Sequence, residues 1–221
     1  MFRKVTKWVA EATRSEDDRL SEFLDGIDDP IAREVEWSAA SSGGANFRTH
    51  RLKVVSPVRA EFRLAFGAML FCWIFFVIGL VAMGFGVASL TGALSKGPPW
   101  WFIFPFGLIF GGVGAGMWWA MSRPRVFDMQ DLWYWRGKRP LDREAVERCE
   151  NSAPLDLVHA IQIIRERVSG NDSSYNSYEI NLVLHDGRRV NVVDHGNLKH
   201  IRKDAQAIAE LIGVPVWDAT A

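Results

Sequence analysis

The chain has 221 residues, with 26 Lys plus Arg against 26 Asp plus Glu and a formal net charge of zero; nothing in that balance suggests a nucleic-acid binder, which normally shows a basic excess. Hydrophobic residues make up 48%, an ordinary value, but the charges are segregated: residues 64–95 and 97–122 carry none, and Lys96 alone stands between them. A soluble single domain is excluded by that distribution.

Residues 1–42 read as amphipathic helices and a linker. Phe2, Val5, Trp8, Val9 and Ala12 recur at i, i+3, i+4, with Arg3, Lys4 and Lys7 elsewhere. This predicts a short helix whose apolar face lies on the inner leaflet or docks on the protein's own domain. Glu11 arrives before any apolar run develops, so no signal peptide is expected and the first span is the targeting signal. Ser15 is placed to cap a second helix, with Glu16, Asp17 and Asp18 in its first turn and Leu20, Phe23, Leu24 and Ile27 as its stripe. Asp29-Pro30 restarts a third helix, running to about Trp37. Residues 39–45, AASSGGA, read as a flexible linker. In residues 43–63 the period changes to two, and 47–55 and 58–64 read as two strands leading into the membrane, with Ser56-Pro57 as their turn.

Two transmembrane helices follow, over 64–94 and 100–122, joined by an outer turn at 95–99. The first exceeds the roughly 20 apolar residues that a bilayer core requires, and the second matches that length closely. Arg48, Arg51, Lys53, Arg59 and Arg63 precede the first span, and Arg123, Arg125 and Arg136 follow the second. The positive-inside rule therefore places both termini in the cytoplasm. Trp100 and Trp101 at the outer end of the second span, and Trp118 and Trp119 at its inner end, read as membrane-interface anchors. Pro105 is expected to kink this span. Gly107 and Gly111, like Gly112 and Gly116, stand four apart. Small residues at that spacing clear a helix face, either for a homo-oligomer or for packing of the hairpin on itself. The spans hold no Asp, Glu, Lys, Arg or His, which argues against a transporter and leaves an oligomeric channel as a remote alternative. Cys72 in the first span and Cys149 beyond the second are not expected to pair.

Residues 123–221 read as an antiparallel β domain. The segments 125–129 and 132–136 form a hairpin, 137–151 a loop with a short helix, and 154–158 a helical turn. The run 159–168 fits strand or helix by period and is assigned strand for its Ile-rich centre. After a loop at 169–176 come strands at 177–184 and 189–194, joined by an Asp186-Gly187 turn. The final helix has Asn197 as cap, a stripe of Leu198, Ile201, Ala205, Ile208, Leu211 and Ile212, and Gly213 and Pro215 as its stop.

The segments GGANFRTHRL, IQIIRERV, SYEINLVLHDGRRVNVVDHG and GVPVWD, around a two-span hairpin, resemble a family of uncharacterised two-span bacterial inner-membrane proteins with a cytoplasmic pleckstrin-homology-like (PH-like) domain. The resemblance covers most of residues 43–218. It implies an α+β membrane protein: a two-helix transmembrane hairpin in the bacterial plasma membrane, plus a cytoplasmic PH-like antiparallel β domain closed by a C-terminal helix. Such a barrel has seven strands. Five lie after the spans and two before, so the hairpin is expected to be inserted into the domain.

Ser173, Ser174, Tyr175, Tyr178, Glu179 and Asn181 form the candidate partner-binding strip, for a peptide or headgroup, with a solvated sheet face as the plainer reading. Asp194 and His195, with His185, His200 and Asp186, match no zinc spacing and lack Cys ligands; a strand-to-helix turn is the simpler account. No phosphate loop or nucleophile elbow occurs, so neither cofactor nor enzymatic activity is expected. The leading expectation is a membrane-anchored interaction or scaffolding module with a protein or lipid partner. A small hydrolase or metal-dependent enzyme using Asp194 and His195 is the alternative.

Overall fold

The computed structural model describes residues 18, 20–94, 97, 99–137, 151–169 and 174–220. The expected helix at 1–12, the Ser15 cap, most of the 137–151 loop with Cys149, and Ser173 lie outside these residues.

The described chain is α+β, with two sheets and a long helical hairpin. The first sheet is an antiparallel meander of β1 (His50–Ser56), β2 (Arg59–Leu64), β3 (Arg125–Asp128), β4 (Trp133–Arg136) and β5 (Ser152–Pro154). The second has the order β8–β7–β6–β9, from β6 (Val158–Ser169), β7 (Ser174–Leu184), β8 (Arg189–His195) and β9 (Val216–Asp218). The helices are α1 (Pro30–Glu34), α2 (Phe66–Leu90), α3 (Trp100–Met121) and α4 (Leu198–Ile212).

The hairpin α2–α3 is inserted between two strands that pair with each other. β2 ends at Leu64, β3 begins at Arg125, and the two run antiparallel with Phe62 opposite Arg125 and Arg59 opposite Asp128. The strands before the hairpin thus belong to the same sheet as those after it. At the junction Ala65 N–H donates to Thr49 O (2.8 Å), and His50 Nε2 donates to the Met121 carbonyl (3.1 Å). These bonds tie both feet of the hairpin to the start of β1, at Thr49 just before it and His50 within it.

At 1.5 Å per residue, α2 and α3 are roughly 37 and 33 Å long, enough to cross a bilayer. Both are apolar enough as well, and only 22% and 17% of their most apolar windows are buried. Helices this apolar and this exposed need an apolar surrounding. Their contact is built on glycine. Gly79 and Gly86 of α2 face α3, and Gly107, Gly111 and Gly114 of α3 face α2, all buried. A β-carbon on Gly107 would stand 2.7 Å from Gly79 O, and one on Gly114 would stand 2.5 Å from Phe76 N. Of the four glycines expected at a helix contact, Gly107 and Gly111 are in it. Gly112 and Gly116 are not: a β-carbon on either meets nothing within 4 Å. The physical reason is that the contact follows 107, 111 and 114, one stripe of a 3.6-residue helix, which leaves 112 and 116 on another face. α3 continues through Pro105.

The main core lies between the sheets. Phe62, Phe127 and Tyr134 of the first sheet meet Ile161, Ile163, Ile180 and Leu182 of the second, and Ile201, Ala205 and Ile208 of α4. Asn197 caps α4 by accepting from His200 N–H, and Gly213 ends it at φ +83°. Pro215 does not simply end the chain's order there, because Val216–Asp218 returns as β9, parallel to β6. The Asp186-Gly187 turn is a type I turn with Gly187 left-handed (φ +78°), closed by Gly187 N–H to Leu184 O.

A second cluster covers the opposite face of the second sheet. Ala160, Val183 and Trp217 pack against Ala32 and Val35, with Phe23, Leu24, Ile27, Ile31 and Trp37 around them. Residues 20–26 are helical, and Asp29 caps α1 by accepting from Ile31 N–H (3.0 Å). The stripe residues Phe23, Leu24 and Ile27 expected of the second helix are therefore spent on the β domain.

Candidate functional site

Strand β7 alternates. Ser177, Glu179, Asn181 and Val183 point to the face that the N-terminal segment covers, while Tyr178, Ile180 and Leu182 point to the main core. The strip expected to meet a partner is already engaged by residues 36–46 of the same chain. Glu179, fully buried, accepts from Ala40 N–H (2.9 Å) and Ser41 N–H (2.8 Å), and also from Asn181 Nδ2 (3.1 Å). One strand away, Glu166 accepts from Gly43 N–H (3.0 Å) and Gly44 N–H (3.3 Å). Carboxylates receiving backbone N–H groups in pairs make strong, charge-assisted bonds.

The carbonyls of the same segment are held as thoroughly. Gln162 Nε2 donates to Glu36 O, Arg189 Nη1 to Ser38 O, Tyr175 Oη to Gly44 O and Ser177 Oγ to Ala45 O. Residues 39–45, expected as a flexible linker, are instead a strap docked on the sheet. The small side chains of AASSGGA serve close approach: a β-carbon on Gly44 would collide with the Ser177 side chain. Of the expected strip, Tyr175, Glu179 and Asn181 are brought together, Ser174 sits exposed at its end beside Arg167, and Tyr178 turns to the other face and packs on the main core. Sequence reasoning missed Glu166, Gln162, Ser177 and Arg189. The sign for them was their place on neighbouring strands, which needs the register of β6–β7–β8.

The end of the inter-sheet space nearest the hairpin carries a second polar group of residues. Arg125 lies opposite Arg136 and is only 6% exposed, and its Nε and Nη1 have no hydrogen-bond partner. Burial and the Arg136 charge pull its guanidinium down to about 10. Burial pushes the Tyr134 phenol up to about 12. Burial, then the Arg125 charge, holds His50 at about 3. Burial, then the Arg48 charge, holds His195 at about 4, so both imidazoles are neutral. Burial raises the Asp194 carboxyl, against the opposing pull of Arg125 and Arg136.

The histidines named with Asp194 are spread apart. His195 Nδ1 accepts from Asn197 N–H (3.2 Å), His200 Nδ1 bonds Asn197 Oδ1 (2.9 Å), and the ring of His185 meets that of His159, 4.9 Å away. Among the described residues no group of three His, Cys, Asp or Glu side chains is arranged to hold a metal ion. Compared with protein-family models, curated proteins and solved structures, the chain gives no match.

Proposed function

We propose that this chain is a membrane-anchored interaction module that presents a PH-like domain at the cytoplasmic face of a bacterial inner membrane. The observation that carries the reading is the insertion of the apolar hairpin between the paired strands β2 and β3. A domain attached through one strand end could swing on its tether. Here two adjacent strands run directly into the two helices, and Ala65–Thr49 and His50–Met121 bonds tie the feet. The orientation of the domain relative to the hairpin is therefore set by the sheet. Two packed sheets, antiparallel but for the short parallel strand β9, with a C-terminal helix on their core support the PH-like assignment, and the Arg-rich flanks support cytoplasmic termini.

The test is topological and functional together. Reporters fused before Met1 and after Ala221 are expected to signal cytoplasm, and the chain to stay with membranes through an alkaline wash. Proximity labelling from the C-terminus is then expected to mark a reproducible neighbour that is lost when the β domain is unfolded. A periplasmic signal from either terminus overturns the reading. Stoichiometric zinc or manganese bound through His195 would replace it with the metal-enzyme alternative.

A further inference from the structure

The outer face of the first sheet meets the base of the hairpin at a cavity of about 430 Å³. Its charged lining, Arg59, Glu61 and Arg63, comes from β2; Met69 stands at the start of α2, and Trp118 and Ser122 at the end of α3. That volume falls in the range that holds a small molecule. Glu61 is buried and bridges the two arginines, accepting from Arg59 Nε (3.0 Å) and Arg63 Nη2 (2.8 Å), while Arg59 Nη1 also reaches Asp128 (2.9 Å). The Arg63 side chain nevertheless stays half exposed.

The surroundings are basic. Arg51 lies opposite Arg63 and Lys53 opposite Glu61 in the β1–β2 register, both exposed and on this face. Arg123 stacks over the exposed Trp119 ring at 4.1 Å. Four bases thus share this face with the carboxylates Glu61 and Asp128, and Arg123 adds a fifth at the foot of α3. A soluble anion would need no more than the charges. Met69 and Trp118 beside them add an apolar wall at the level where the helices leave the sheet.

We propose that this corner seats the phosphate headgroup of an anionic phospholipid, with Arg63 facing the phosphate and the first part of an acyl chain along Met69 and Trp118. The inference rests on the membrane reading above. Basic pockets at the cytoplasmic ends of membrane helices hold headgroups through charge, and the apolar wall favours a tethered chain over a free ion.

The full-length chain is placed in nanodiscs of phosphatidylcholine and phosphatidylglycerol, released, and weighed by native mass spectrometry. Wild type is expected to keep one phosphatidylglycerol after other lipids are stripped. Arg63→Gln should lower the retained fraction about fivefold, which is ~1 kcal/mol for one basic residue at an anionic surface. Arg63→Lys should keep most of it. Ser122→Phe, which fills the cavity without touching a charge, should abolish it. Equal retention in wild type and Ser122→Phe, no preference for phosphatidylglycerol, or displacement by millimolar glycerol 3-phosphate would each overturn the lipid assignment. A chain that fails to enter the nanodiscs at all would overturn the membrane reading instead.

Discussion

Replacing Gly79 by alanine puts a methyl group into the backbone of the facing helix. A β-carbon there would stand 2.5 Å from Gly111 Cα and 2.7 Å from Gly107 O, and nearer still to Gly111 N. Ordinary carbon contacts are about 3.5–4.0 Å. The obstructing atoms are backbone, so a rotamer change gives no relief and the helices must part by roughly 1 Å. Overpacking of this kind costs about 1–3 kcal/mol. At roughly 2–4 °C per kcal/mol for a protein of this size, the melting temperature should fall by several degrees. Gly112→Ala is the matched control: the same chemical change in open space, expected within about 0.5 kcal/mol of wild type. Both variants are purified as the full chain in one detergent and melted by near-ultraviolet circular dichroism. A Gly79→Ala melt that overlays wild type, or a Gly112→Ala melt that falls as far, would refute the assigned contact face.

Glu179→Gln keeps the shape and removes the charge that receives Ala40 and Ser41; loss of that buried acceptor should cost about 1–3 kcal/mol and speed proteolytic cleavage within residues 38–46, while uncleaved material at the wild-type rate would count against the strap. His50 and His195 are held at about 3 and about 4, below the ordinary 6.5, so the unfolded chain binds protons that the fold refuses. Stability should therefore fall as pH drops from about 6.5 toward 4, by up to about 1.4 kcal/mol per pH unit for each imidazole. Asp194 and Asp204, raised by burial, act in the opposite direction as pH nears the carboxylate range. Melts at pH 7 and pH 5 should show a smaller loss for His195→Asn than for wild type, and equal losses would refute the assignment. Joining residues 18–64 directly to 123–221 should give a cooperatively folding β domain, because Phe62 and Arg125 are already neighbours; residues 123–221 alone should lack amide dispersion.

The hairpin was legible from length and charge alone, β1, β2, β7 and β8 from their alternation, β6 from its Ile-rich centre, and α4 from its apolar stripe and caps, because those local patterns follow the geometry of the element itself. The polar strip on β7 was legible as polar, yet its occupant was not. AASSGGA carries no apolar period, and its docking rests on backbone groups received by Glu179 and Glu166, which leave no pattern in side-chain chemistry. β5 and β9 are three residues each, too short for alternation to register. The glycine contact was half legible: spacing of four marks two possible stripes, and only the crossing of α2 against α3 decides between them.

Insertion of the hairpin between β2 and β3 also imposes an order on biosynthesis. β1 and β2 leave the ribosome first, and the edge of β2 that carries Phe62 has no partner until Arg125–Asp128 emerges, some sixty residues later. On the membrane reading proposed above, that partner arrives on the same side of the bilayer only if both helices have crossed and returned. A hairpin that inserts once and stalls leaves Phe62 and the β2 edge open to proteases, with the other half of the domain stranded across the membrane. On that reading, closure of the first sheet distinguishes the two outcomes: a correctly threaded chain can pair β2 with β3, and a misthreaded one cannot.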